Sequence, residues 1–245
     1  RTYLAKNADN LNELCVIKQL APQLQSGSAL KKATQLFKLE AQRLKQLLEH
    51  PQIPSLYAYF EENNELYLVQ QFVEGANLSQ ELKHQGKFNE LKIRELLKNL
   101  LPILDFVHQQ NVVHRDIKPA NIIRRVHDRQ FVLIDFGVAQ QQAAQPANTA
   151  TIVGSPGYTS LEQMEKGESS SSSDLYSLGV TCFHLLTNVH PFHLWAKFGY
   201  SWTSNWRKYL REPISKELGY ILDRMLQTNK QDRYQSALEV LEDLK

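Results

Sequence analysis

His114-Arg115-Asp116-Ile117-Lys118-Pro119-Ala120-Asn121, followed after a short turn by Asp135-Phe136-Gly137, is the stretch that decides how this chain folds and what chemistry it carries. Asp116 is a carboxylate that can accept a hydroxyl proton. Lys118 lies two residues on, so in an extended loop both side chains point the same way. A positive charge then stands beside the proton acceptor. Asn121 offers a carbonyl oxygen to a metal ion, and Asp135 supplies the anionic oxygen that magnesium prefers. These are the parts that phosphoryl transfer needs. An ordinary polar turn would have to assemble every one of them by accident.

The totals are compatible with that chemistry and exclude other classes. The chain has 245 residues, enough for one large domain or two tightly packed lobes with a sizeable core. Its 28 basic and 26 acidic residues leave a net charge of +2, which gives no warrant for a nucleic-acid partner or a polybasic membrane contact. Only two cysteines occur, Cys15 and Cys182, and a reducing, cytoplasmic setting is the simpler reading. No apolar run approaches the roughly 20 residues needed to cross a bilayer. No signal peptide opens the chain, and Arg1 reads as a start in mid-strand.

Patterning predicts an α+β chain, strands first and helices after. Arg1–Ala5 and Glu13–Leu20 read as strands joined by turn chemistry over Asn7–Asn12. Ala29–Leu48 reads as an amphipathic helix ended by His50-Pro51. Leu56–Phe60 and Glu65–Val73 read as a hairpin around Asn63-Asn64. Leu78–Lys83 and Glu90–Gln110 read as helices, and Phe131–Ile134 as a short apolar strand. Residues 138–160 read as a polar, mobile loop. Asp174–Thr187 is apolar nearly all round, as a helix in a lobe centre should be. The serine run Ser169–Ser173 before it reads as a solvated loop. Leu218–Gln227 and Ser236–Leu244 close the chain as helices.

Together the Asp116 loop and Asp135-Phe136-Gly137 resemble the catalytic and metal loops of eukaryotic-like protein kinases. Lys118 and Gly154-Ser155-Pro156-Gly157-Tyr158 resemble the serine/threonine class. Arg1-Thr2-Tyr3-Leu4-Ala5, Cys15-Val16-Ile17-Lys18-Gln19 and His190-Pro191-Phe192 look most like cyanobacterial members. The resemblance covers nearly the whole chain. It implies a protein-kinase-like bilobal fold, with a small β-rich lobe over residues 1–72, a mostly helical lobe over 73–245, and ATP in the cleft between. It also implies a glycine-rich nucleotide loop upstream of Arg1, with Thr2 where an adenine-covering valine usually sits.

The resemblance assigns further residues. Lys18, on a strand, would hold ATP phosphates and pair with Glu40 of the following helix, with Glu49 the weaker candidate. A charge in an apolar cleft needs such a partner. Asp116 would receive the substrate hydroxyl, Lys118 would stabilise charge, and Asn121 and Asp135 would hold magnesium, or manganese in its place. Val16 and Ile123 would sandwich adenine behind a Gln70 gatekeeper. The backbone of Gln71-Phe72-Val73 would read its edge, and Asn77 falls near the ribose.

Supporting residues follow the same pattern. Asp174 resembles the buried aspartate that accepts hydrogen bonds from the catalytic-loop backbone. Leu44, Leu56, His114 and Phe136 resemble a hydrophobic stack between lobes. Ser160-Leu161-Glu162 stands where the family has Ala-Pro-Glu, so loop rigidity is in question, and Glu162 should pair with Arg233. Arg115 resembles the arginine neutralised by a phosphorylated activation loop, with Thr151 the first candidate and Thr149 the second. Self-association for autophosphorylation would follow.

Expected substrates are serine or threonine hydroxyls of proteins. Ala120 and His184 stand where many basophilic kinases carry acids, which argues against a strong arginine requirement. Trp195, Trp202 and Trp206 read as cover for an adjacent helix. Two rivals remain at this point: a non-catalytic kinase-like ATP-binding regulatory module, and a small-molecule phosphotransferase of related fold. The complete set Lys18, Glu40, Asp116, Asn121 and Asp135 weighs against the first, and Lys118 with Glu162 against the second.

Overall fold

A computed structural model describes residues 1–8, 10–20, 27–47, 50–136 and 154–245. The first strands form one antiparallel sheet: β1 (Thr2–Asn7), β2 (Glu13–Leu20), β3 (Leu56–Glu62) and β4 (Glu65–Gln71), in the order β1-β2-β4-β3. The β3–β4 hairpin turns at Asn63 and Asn64, whose φ values of 51° and 62° are those of a type I′ turn. Asparagine tolerates that left-handed backbone, and the turn's twist matches the strands. Register sets Lys18 of β2 opposite Thr2 on one side and Leu68 on the other.

The helix α1 spans Gly27–Gln46, against the expected Ala29–Leu48. It closes before His50-Pro51 because the Leu47 amide divides its bond between the Arg43 and Leu44 carbonyls, a tightening typical of a last turn. Phe37, Ala41 and Leu44 bury one stripe of it, and Phe37 meets Tyr59 of β3 at 6.0 Å.

Helices then take over. They are α2 (Leu78–Gln85), α3 (Glu90–Gln109), α4 (Leu161–Lys166), α5 (Ser171–Thr187), α6 (Pro191–Phe198), α7 (Lys216–Met225) and α8 (Ala237–Asp243). A second small sheet, β5 (Gly75–Asn77), β6 (Ile122–Arg125) and β7 (Phe131–Leu133), lies in that order beside the catalytic loop. This is the two-lobed arrangement that the sequence predicts. The strands β5 and β6 and the helices α4 and α6 escape sequence patterning because they are too short to show a period.

Helix α5 is the axis of the larger lobe. All but the first of its residues are buried. One expectation fails here. The serines before it are not a solvated loop: Ser170 caps α5, and Ser172 and Ser173 are 1% and 0% exposed. The reason is capping. The Ser173 hydroxyl accepts from the Ser170 amide and donates to Glu162, so polar side chains satisfy a buried helix start. Trp202 and Trp206 cover α5 and α7 as expected. Trp202 lies 4.6 Å from Phe183, and the Trp206 indole donates to Asp223 at 2.8 Å.

Candidate active site

The catalytic loop is held from below by α5. Asp174, fully buried, accepts the backbone N–H groups of His114 and Arg115, each at 2.8 Å. His108 of α3 adds a contact at 2.9 Å. Burial alone would raise the Asp174 carboxyl, but His108 and the backbone donors of the loop outweigh it and hold the group below the ordinary carboxylate range. These bonds fix Arg115 in a left-handed backbone, φ 71°, that L-residues resist. Gln163 of α4 secures the other side by donating to the Arg115 carbonyl at 2.8 Å.

His114 braces the loop from above. Its ring is fully buried and 4.8 Å from Phe136. Burial lowers its pKa, so it is neutral. One tautomer fits both contacts: Nε2 donates to the Ile134 carbonyl at 3.0 Å, and Nδ1 accepts the Asp116 amide at 3.3 Å. Leu44 and Phe136 share one buried core, with Leu56 packed on it. Of the expected stack of Leu44, Leu56, His114 and Phe136, the His114–Phe136 contact is present, and the two leucines belong to or border the same core.

The acceptor end of the site is a tight polar cluster. Lys118 Nζ donates to Asp116 Oδ2 and to Ser155 Oγ, both at 2.7 Å. Ser155 Oγ donates in turn to Asp116 Oδ1 at 2.7 Å. Asn121 Nδ2 donates to the Asp116 backbone carbonyl at 2.8 Å and to its carboxylate at 3.0 Å, which leaves the amide oxygen for a cation. Sequence reading missed the role of Ser155. It sits 37 residues from Lys118 in sequence, and no local pattern reports such a contact.

The upper end is built across elements. Lys18 Nζ of β2 donates to Glu40 Oε1 of α1 at 2.7 Å and also to Asp135 Oδ1. Burial would lower the lysine pKa; Glu40 and then Asp135 more than offset it, so the ammonium stays charged above its ordinary value. Desolvation pushes the Glu40 carboxyl up, and Lys18 offsets this only in part. Asp135 is the more exposed carboxylate, at 46% of its side chain against 11% for Glu40. Burial acts on it too, but Lys18 outweighs burial and holds it low. Asp135 has a left-handed φ of 58°, which swings the chain between Ile134 and Phe136. Gly137 and Glu49 lie outside the described residues, as do Thr149 and Thr151.

Around the cleft, Val16 on β2 and Ile123 on β6 are half-buried, and Gln70 is buried. The Gln71 amide is bound to the Ser55 carbonyl at 2.9 Å, and Val73 is buried. Asn77 serves as a helix cap: its Oδ1 accepts the Gln80 amide, and its amide donates to Gln80 Oε1, each at 2.9 Å.

The segment after the loop is held just as firmly. Gly157 has φ 92°, and a Cβ there would lie 2.6 Å from the Phe192 amide nitrogen, so only glycine fits. Arg233, buried, donates to Glu162 at 2.5 Å and to the Ser172 carbonyl at 3.1 Å. Leu161 occupies the first helical position of α4, where proline would also fit.

A family profile described as the protein kinase domain matches residues 1–243. The chain belongs to the protein kinase family. The kinase domain is 41% identical over 240 residues to serine/threonine-protein kinase B of Synechocystis sp., which covers 94% of this chain and 41% of that protein. It is 39% identical to serine/threonine-protein kinase PknA of Nostoc sp., over 99% of this chain and 44% of that one. The chain thus spans less than half the length of these curated relatives. Among solved structures, the apo form of PpkA-294 superposes with a TM-score of 0.81 at 26% identity, covering 100% of this chain and 91% of that one. The cyanobacterial resemblance and the bilobal fold are borne out. Kinase membership implies ATP and a divalent metal. The oxygen donors of Asn121 and Asp135 fit a hard cation. Among the described residues, no helix is long and apolar enough to cross a membrane.

Proposed function

We propose that this chain is the catalytic domain of a serine/threonine protein kinase that uses ATP and magnesium, with manganese as the alternative cation, in the cytoplasm. The observation that carries the reading is the cluster of Asp116, Lys118, Asn121 and Ser155, set below the Lys18–Glu40–Asp135 group. When bound, magnesium-ATP supplies the phosphoryl group and the cation that offsets its charge. Asp116 accepts the substrate hydroxyl proton; its Oδ1 already accepts the hydroxyl of Ser155. Lys118 is tethered within reach of the same carboxylate and neutralises charge beside it. Asn121 and Asp135 would hold the metal, and Lys18, steadied by Glu40, would orient phosphate. Positioning and electrostatics carry such catalysis.

Adenine is read between Val16 and Ile123 by the backbone of Gln71 and Val73. Asn77 meets the ribose while capping α2. The lobe boundary falls at residues 72 and 73, where β4 has ended. Phosphorylation of Thr151, or of Thr149, by a second copy would pair the loop with Arg115.

The test is phosphate transfer from labelled ATP by the full-length protein to a basic protein, a mixed peptide library, aminoglycosides and choline. Label on serine or threonine of protein acceptors is expected, and label confined to the small molecules sinks the reading. Mapping the self-label checks Thr151 and Thr149. Thr151→Ala should lower turnover, and unchanged turnover removes the loop-phosphate idea.

A further inference from the structure

Beside Lys118 the surface opens into a cavity of about 390 Å³. Its walls include Lys83 from α2, Lys118 and Ala120 from the catalytic loop, Tyr158, His184 near the end of α5, and His190 at the start of α6. No carboxylate is among the residues that line it. Lys118 is satisfied by Asp116 and Ser155. Lys83 is exposed and enters no salt bridge among the described residues, so it brings the uncompensated charge.

Hydrogen bonds engage one nitrogen of each imidazole. The Tyr158 hydroxyl lies 2.5 Å from His184 Nδ1, so that nitrogen is engaged by the phenol. His190 Nδ1 accepts the Phe192 amide at 3.3 Å as the cap of α6, so its proton is on Nε2. Burial, with His190 adding to it, pushes His184 down to about 4, and burial also lowers His190. At neutral pH both rings are neutral. An arginine entering here would shed water and meet no carboxylate among the lining residues. A carboxylate or phosphate would meet Lys83, with the His184 and His190 imidazoles beside it as hydrogen-bond partners.

We propose that this cavity receives an anionic side chain of the protein substrate, aspartate, glutamate or a phosphorylated residue, close to the acceptor hydroxyl, with Lys83, His184 and His190 as the specificity residues. Closeness follows from Lys118, which lines the cavity while bonded to Asp116. The inference rests on the protein kinase reading above and adds a substrate class to it.

The experiment is a positional library of serine peptides given to the full-length protein, with aspartate, glutamate, phosphoserine, alanine or arginine at each flanking position. At one position near the acceptor, acid should exceed arginine in kcat/KM by about fivefold or more. Lys83→Glu and Ala120→Glu should each reverse that ratio at that position alone. The ratio within one variant is insensitive to how much of it is folded. Arginine equal to or better than acid at every position overturns the inference and leaves the kinase reading standing, as does a ratio that neither variant moves. Transfer to no acceptor at all overturns both.

Discussion

The two halves of the site are built in opposite ways. The lower cluster of Asp116, Lys118 and Asn121 lies within six residues of chain and is pinned by the fully buried Asp174 of α5. The upper cluster gathers Lys18, Glu40 and Asp135 from a strand, a helix and a loop, the first and last 117 positions apart in the chain. The lower half has geometry fixed by local chain and a rigid base. The upper half has geometry that exists only when α1 and the Asp135 segment sit against β2. Such a division suits an enzyme whose acceptor end must be pre-formed and whose nucleotide end can be opened or closed by moving one helix.

Removing the shared cation should give the largest effect. Lys18→Met leaves Glu40 and Asp135 facing each other with no ammonium between them. Transfer should fall by about 10²–10³-fold, with weaker ATP binding, in steady-state kinetics and nucleotide titration. If ATP affinity and turnover both survive, the upper cluster does not do what its geometry suggests. Next comes the base of the lower half. Arg233→Ala strands Glu162 in a partly buried site and should cost about 3 kcal/mol, read as a drop of roughly 6–12 °C in Tm. A variant as stable as the parent would show that the α4–α5 junction does not depend on that pair.

Ser155→Ala removes a bond to each of Asp116 and Lys118 without touching the upper cluster. Turnover should fall about tenfold while ATP affinity holds. An equal loss in both quantities would blur the division between the halves. The smallest expected effect is one of pH. Burial would raise the Glu162 carboxyl, but Arg233 outweighs it, and the folded pKa is depressed. Its contribution is therefore full above the ordinary glutamate pKa of about 4.3 and is lost as pH falls through the lower folded value. Urea midpoints of the parent and Arg233→Ala should converge on acidification below about pH 4. A gap that stays constant would assign the stabilisation to packing instead.

Legibility in the sequence followed the same division. The lower cluster could be read directly, because Asp116, Lys118 and Asn121 are close in the chain and their spacing carries the chemistry. Lys18 and Glu40 required the family resemblance, since nothing local announces a contact over 22 residues. Ser155 was visible as a loop hydroxyl but not as the bridge between Asp116 and Lys118. The long helices α1 and α3 were legible through their apolar periodicity and α5 through its all-round apolar character, whereas three-residue β5 and six-residue α4 have too few residues to show a pattern. The serines before α5 misled for a physical reason. Their polarity suggested solvent, but at a buried helix start it satisfies amide groups and Glu162 instead.

The most direct test of the central claim is a paired measurement on Asp116→Asn: the rate of phosphate transfer from ATP and the affinity for ATP. The side chain keeps its size, so the bonds from Asp174 and the upper cluster should persist. Transfer should fall by about 10²–10⁴-fold while ATP affinity stays near that of the parent. Transfer at the parent rate would contradict the role given to Asp116 and, with it, the reading of the lower cluster as the acceptor end of a kinase.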